Sequence, residues 1–376
     1  MIVATLQWNR LIGQERIKEV FSSAFAHGTL GHAYLLCGET GAGTFAAALE
    51  LSTALLCTSE SGRPCLSCSA CKKVRSYAHP DFHVVMPLAL HKEHKGSDGK
   101  ITEAGWEEFA LRVRQRIEDP YLVPEFATHP SIPVDWVREV THAIRRGAIE
   151  KGKNIVILDG IDLMQQESAN ALLKTLEEPP ADTLLLLCTD RPHAVLPTII
   201  SRCQLLRFAA LTPAAIRSEL IARFSLQPED PRLDNVVHTG SLGRARVLFE
   251  HIETSDLRNA REFWHLITNQ DWLAICTMIE TISDLGDYSR YENLFMQLLY
   301  GIRNAFFTNI EGTENYIMGD SSLSGTLAAV ATPHVAEMLA RHCETAISRI
   351  RARANIALVL TSFALSVMEY FNEQKQ

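Results

Sequence analysis

Four cysteines fall close together in the stretch CTSESGRPCLSCSAC, at Cys57, Cys65, Cys68 and Cys71. The rest of the chain's nine cysteines, Cys37, Cys188, Cys203, Cys276 and Cys343, stand singly. The spacing C-x7-C-x2-C-x2-C suits one tetrahedral metal site. Zinc accepts four thiolates at about 2.3 Å, and each x2 step turns successive sulfurs inward around one ion. Such a zinc is structural, because four protein ligands leave no open position for water or substrate. A redox pair, or core cysteines unrelated to one another, is the alternative reading.

A second stretch, LLCGETGAGTFAAALEL from Leu35, sets an apolar strand, a glycine-rich turn and an alanine-rich helix in the order of a phosphate-binding loop. The pattern G-x-x-x-x-G-K-[ST] puts a lysine on the β- and γ-phosphates and a hydroxyl on magnesium. Here Gly38, Gly41 and Gly43 supply the frame, but Thr44 and Phe45 stand at the lysine and hydroxyl positions. The frame of a nucleotide site is present without its working groups. Asp159 ends the apolar run NIVILDG, and an aspartate at a strand end is by itself a weak sign of a Walker B carboxylate.

The elements that must position these residues follow from the hydrophobic pattern. The runs HAYLLC, DFHVVMP, NIVILDG and TLLLLCT read as buried strands with helical patterns between them, which implies a parallel sheet covered on both faces. From about Pro213 strand signals stop, and PAAIRSELIARF and nearly everything after it read as helices. Between Pro87 and Pro133 a polar insertion surrounds one amphipathic helix, ITEAGWEEFALRVRQRI; its His91 and His94, with no thiols beside them, read as solvated. The basic clusters RVRQR and Arg145 with Arg146 read as solvated helix faces.

Length and composition agree with a multidomain globular chain. With 376 residues, 47% hydrophobic and 21% charged, there is material for two or three cored domains. A formal net charge of −8 argues against a strongly basic nucleic-acid binder. No secretory signal is visible, and the late apolar stretch NIALVLTSFALSVMEYF is broken by Asn355, Thr361, Ser362 and Ser366, so the expectation is a cytoplasmic protein with no membrane partner. In that reducing compartment clustered thiols bind metal rather than cross-link.

Two further stretches, NALLKTLEEPP and the SRC of Ser201 to Cys203, complete a set. With the four cysteines just after a P-loop-like turn, in this order, they resemble the bacterial clamp-loader subunits of the AAA+ class over roughly Leu11 to Leu248. The resemblance implies an AAA+ P-loop-like α/β domain over 1–209, carrying the zinc module at 57–71 and the insertion at 87–133. A helical lid over 210–254 and an all-helical collar over 255–376 would follow. Implied partners are gamma/tau and delta subunits, with the sliding clamp and primed DNA met through the complex.

Within that family the ATP-hydrolysing gamma/tau type keeps the loop lysine and a glutamate after the strand-end aspartate, whereas this chain has Thr44 and Gly160. Gly243 also stands where the resemblance would put a sensor arginine, leaving Arg244 one place late. The expectation is therefore the non-hydrolysing type, with no ATP bound tightly and Arg202 of the SRC offered in trans as an arginine finger to a neighbour's nucleotide. A gamma/tau-type ATPase with a degenerate loop, or a standalone zinc-dependent nucleic-acid binder, are the alternatives.

Overall fold

The computed structural model describes residues 5–60, 62–89, 94, 101–124, 130–150, 152–251, 254–283, 288–311 and 332–373. His91 lies outside them. The chain divides into two compact units, one formed by Met1–Ala215 with Gly240–Arg244, the other by Ile216–Thr239 with Ala245–Gln376.

The first unit is built on a five-stranded parallel sheet, β1 (Ala33–Cys37), β2 (Phe82–Val85), β3 (Asn154–Asp159), β4 (Thr183–Thr189) and β5 (Gln204–Arg207), in the order β2-β3-β4-β1-β5. The α/β expectation is borne out. Strands β1 and β4 are buried along their whole length, with Leu35 beside Leu187 and Ile157 of β3 beside Leu186. This explains why they read as unbroken apolar runs, since a strand between two helical layers has no solvent face. Strand β5 was missed. Among the described residues it pairs with β1 alone, and it is mostly exposed, so it carries no buried run to detect.

Helices α1 (Glu15–His27), α2 (Thr44–Leu56), α3 (Ser69–Arg75), α4 (Glu103–Glu118), α5 (Val134–Arg145), α6 (Gln166–Glu177) and the short α7 (Pro197–Ile200) complete this unit. Helix α2 is apolar on all sides because it is enclosed on all sides: every residue except Leu55 is buried. It nevertheless contains Glu50, whose two oxygens accept the backbone N–H groups of Asn9, Arg10 and Leu11 at 2.7, 2.8 and 3.0 Å. Burial pushes that carboxyl above its usual range, and the three N–H groups and the Arg10 charge work against the shift. The Arg10 guanidinium in turn donates to the Ile117 and Glu118 carbonyls at the end of α4.

The second unit contains helices only, among the described residues: α8 (Pro213–Phe224, from Ile216 onward), α9 (Pro231–Val236), α10 (Leu242–His251, from Ala245), α11 (Thr254–Thr268), α12 (Trp272–Ser283), α13 (Tyr288–Glu311), α14 (Pro333–Arg351) and α15 (Ile356–Glu373). Its core joins Phe263, Phe295 and Phe363 with Leu298, Leu339 and Leu360. The Tyr291 hydroxyl donates to the Ile282 carbonyl at 2.8 Å. No helix among the described residues is long and apolar enough to cross a membrane.

Beside β2 the buried His79 accepts the Asp81 N–H through Nδ1 at 3.2 Å, with Glu150 Oε2 3.6 Å from Nε2. A proton on Nδ1 would remove that acceptor. Burial lowers the pKa of His79 and of His83, outweighing Glu150 and Asp81 beside the first and Asp81 beside the second. Both are thus easier to protonate in the unfolded chain, whose histidines titrate near 6.5. Stability is complete above that value and is lost as the pH falls below it. Urea midpoints at pH 7.5 and 5.5 are expected to differ less in His79→Asn, which keeps an acceptor without a proton to gain, than in the unsubstituted protein.

Candidate functional site

The sheet order places the turn after β1 beside the ends of β3 and β4, the edge at which open parallel sheets hold ligands. The turn itself has the expected shape. Gly41 and Gly43 take φ of 79° and 108°, and the Gly38 N–H donates to the Thr189 carbonyl at 3.1 Å. Over it lies a cleft of about 430 Å³ lined in part by Thr40, Thr44, Asp159, Asp162, Arg191 and Arg244.

Another part of the chain packs directly on the loop beside that cleft. The start of α10 rests on the loop: the Ser241 hydroxyl donates to the Thr40 carbonyl at 2.6 Å and the Gly243 N–H to the Gly41 carbonyl at 3.2 Å. A Cβ added to Gly243 would stand 2.4 Å from the Tyr121 carbonyl oxygen and 2.9 Å from the Gly41 Cα. Glycine at 243 is therefore a packing requirement here, and a sensor arginine at that position has no room. Tyr121, buried beside Gly43, accepts the Ile12 N–H and donates to the Arg10 carbonyl. Arg244 is half-exposed, 3.6 Å from Glu39.

Phe45 is fully buried, and Asp159 is already paired. The partner is Arg116 of α4, 4% exposed, whose Nε donates to Asp159 Oδ2 at 2.9 Å. Its Nη1 donates to the carbonyls of Pro120 and Leu122 at 2.6 and 2.9 Å, and its guanidinium carbon lies 4.5 Å from the Phe45 ring centroid. A magnesium nucleotide does not fit these residues. A fixed cation holds the carboxylate, and a phenyl ring stands at the hydroxyl position. Gly160 has φ of 67°, and a Cβ there would come within 3.1 Å of Pro87. A glutamate at that point would strain the backbone.

Sequence reasoning missed Arg116, treating RVRQR as a solvated face. Arg112 is exposed, but Arg116 shares the buried side of α4 with Phe109, Val113 and Ile117. The spacing i, i+4, i+7, i+8 was the available signal. Asp162 was missed too. Its buried carboxylate accepts from Thr189 Oγ1 at 2.7 Å and from Arg191 Nη2 at 2.6 Å, and a short polar turn gives no hint of such burial.

The four clustered cysteines do converge. Their sulfurs all lie within 4.8 Å of one another, with Cys57 and Cys68 3.9 Å apart. A tetrahedron of about 2.3 Å bonds needs sulfurs roughly 3.8 Å apart. Backbone N–H groups already point at the sulfurs as they would at thiolates: Ser59 and Cys65 to Cys57, Cys68 to Cys65, and Cys71 to Cys68, each at 3.4 Å. Against a raising effect of burial, the N–H groups of Cys71 and Thr58 and the Thr58 hydroxyl bring the Cys68 thiol down to about 5. This donor set fits a metal ion. Burial instead raises the thiols of Cys57 and Cys71 in the same cluster, and pushes the single Cys203 to about 12.

Arg202 is one-third exposed and held by local groups, Glu177 Oε1 at 2.8 Å from Nη2 and the Thr198 carbonyl at 2.9 Å from Nη1.

A parallel sheet with a glycine loop after β1, an aspartate at the end of β3 two strands away and a four-thiol module describes a P-loop-type unit whose loop has Thr44 and Phe45 at the lysine and hydroxyl positions. The family described as DNA polymerase III, delta subunit, matches residues 13–212, more than half of the chain, and the chain belongs to it. It is 30% identical over 249 residues to DNA polymerase III subunit delta' of Bacillus subtilis, covering 65% of this chain and 63% of that one. It is also 30% identical over 234 residues to the subunit delta' of Escherichia coli, covering 62% and 58%. With DNA polymerase III subunit tau of B. subtilis it shares 26% over 237 residues, 62% of this chain and 35% of that one. The chain thus spans less than two thirds of these curated relatives. The family to which the motifs pointed is borne out.

Elemental analysis of protein purified without chelators is expected to find one metal ion per chain, and Cys68→Ser to lose it while the sheet stays folded. Because thiolates must shed protons to bind, retention should fall as the pH is lowered.

Proposed function

We propose that this chain acts as a delta-prime, or stator, subunit of a bacterial DNA polymerase III clamp loader. It assembles with gamma/tau- and delta-type subunits into a machine that opens the sliding clamp and places it on primed DNA. It neither binds ATP tightly nor hydrolyses it. The observation that carries this reading is the altered loop, with Thr44 and Phe45 in place of lysine and hydroxyl and Gly243 packed on Gly41. Positioning and charge stabilisation of the transferred phosphoryl group need those missing groups.

The ion at Cys57, Cys65, Cys68 and Cys71 is zinc, in keeping with four sulfur donors and no open position. Residues 210–254 serve as the helical lid, and 255–376 as the collar through which the subunits join. Arg202 serves a neighbouring ATPase subunit as an arginine finger. Its present tether is compatible with that: an exposed pair such as Arg202 with Glu177 contributes about 0–1 kcal/mol, so the guanidinium leaves it readily. A guanidinium arriving at a γ-phosphate offsets the charge developing there.

Arg202→Ala is expected to leave this subunit folded and metal-loaded and the complex assembled, yet to lower the DNA- and clamp-stimulated ATPase of the reconstituted loader. One finger is worth on the order of 10³-fold at its own site. With several ATPase sites the total falls only by the share of one interface. Unchanged turnover and loading at matched complex concentration would reduce Arg202 to a structural residue. For the isolated chain, titration with ATP should give no tight binding, and Thr44→Lys alone should not restore turnover.

A further inference from the structure

Arg116 is more than a missing-site marker, because of what surrounds its head group. Three oxygens converge on it: Asp159 Oδ2, 2.9 Å from Nε, and the carbonyls of Pro120 and Leu122, 2.6 and 2.9 Å from Nη1. The Phe45 ring closes another side at 4.5 Å. One carboxylate and two carbonyls are hard oxygen donors, the kind a divalent cation such as Mg²⁺ or Mn²⁺ takes. Moreover, Phe45 and Asp159 hold the two sequence positions that a P-loop site uses for its magnesium.

We propose that Arg116 is a built-in counter-cation: its guanidinium stands in the divalent-cation position of the loop, neutralises Asp159 in place of a metal, and pins the Pro120–Leu122 segment over the glycines. The proposal rests on the reading that the chain binds no nucleotide and gives that reading a cause separate from Thr44. A metal arriving at Asp159 would meet a buried positive charge that has nowhere to go. The arginine therefore excludes the metal as well as replacing it. It also orders the strap, because the two carbonyls it binds belong to the turn that follows its own helix and leads directly to Tyr121 and Val123 against Gly43 and Gly243.

The test uses the full chain with Mn²⁺ alone as probe, followed by electron paramagnetic resonance and by thermal melting. The unsubstituted protein is expected to show no Mn²⁺ held at this site at millimolar concentration. Arg116→Met should bind one Mn²⁺ at least tenfold more tightly and melt at a higher temperature with the metal than without it. Arg116→Met combined with Asp159→Asn should lose both gains. If Arg116→Met does not fold without metal, Mn²⁺-dependent refolding of it, absent in the double variant, supports the proposal equally. A folded Arg116→Met that binds Mn²⁺ no better than the unsubstituted chain, a gain that survives in the double variant, or an unfolded Arg116→Met that Mn²⁺ does not refold overturns the proposal. Tight ATP binding by the unsubstituted chain would instead overturn the non-binding reading and leave the Mn²⁺ comparison to be judged by itself.

Discussion

A guanidinium removed from water must have its charge and its donors matched, and the arrangement around Arg116 follows from that demand. Breaking a buried ion pair by deleting one partner leaves the other charge unmatched at roughly 3–5 kcal/mol, a large part of the 5–15 kcal/mol that usually separates folded from unfolded chains. Asp159 meets the charge, the Pro120 and Leu122 carbonyls meet the donors, and Phe45 meets the flat face. These partners come from the end of β3, the turn after α4 and the start of α2. One side chain thereby fixes the position of the insertion helix against the sheet and the conformation of the turn that covers the loop.

A second buried charge organises the middle of α2. Glu50 gathers the N–H groups of residues 9–11, and Arg10 carries that anchorage onward to the last carbonyls of α4. A few residues earlier, the Gln7 N–H donates to the Arg63 carbonyl and the Arg63 N–H to the Thr5 carbonyl at 2.9 Å. The segment ahead of α1 is therefore stitched to the thiol module at one point and to α2 at the next. Whatever stabilises the four sulfurs also stabilises this segment.

Much of this was legible in the sequence where burial is complete. Parallel strands enclosed by helices leave apolar runs with no alternation, and β1 through β4 stood out accordingly; the cysteine spacing and the altered loop were equally plain. What escaped notice has a common physical cause. Arg116 and Asp162 are charged residues in the interior, and a linear reading assigns charge to the surface unless the helical period is followed through position 116. Strand β5 escaped for the opposite reason, being a strand with little to bury. That Gly243 serves steric closure appears only once Tyr121 is seen against it, over a hundred positions away in the chain.

The register of β5 has a geometric corollary. It runs parallel to β1, with Tyr34 beside Gln204 and Cys37 beside Arg207, so Arg202 lies before the strand's first residue while the glycine turn begins after the last residue of its neighbour. Strands rise about 3.3 Å per residue, which puts the length of the sheet between that arginine and its own loop. Within the first unit Arg202 and the glycine turn accordingly lie at opposite ends of the sheet. A contact that joins two such unlike ends is heterologous and gives a stack a single sense of direction, head to tail.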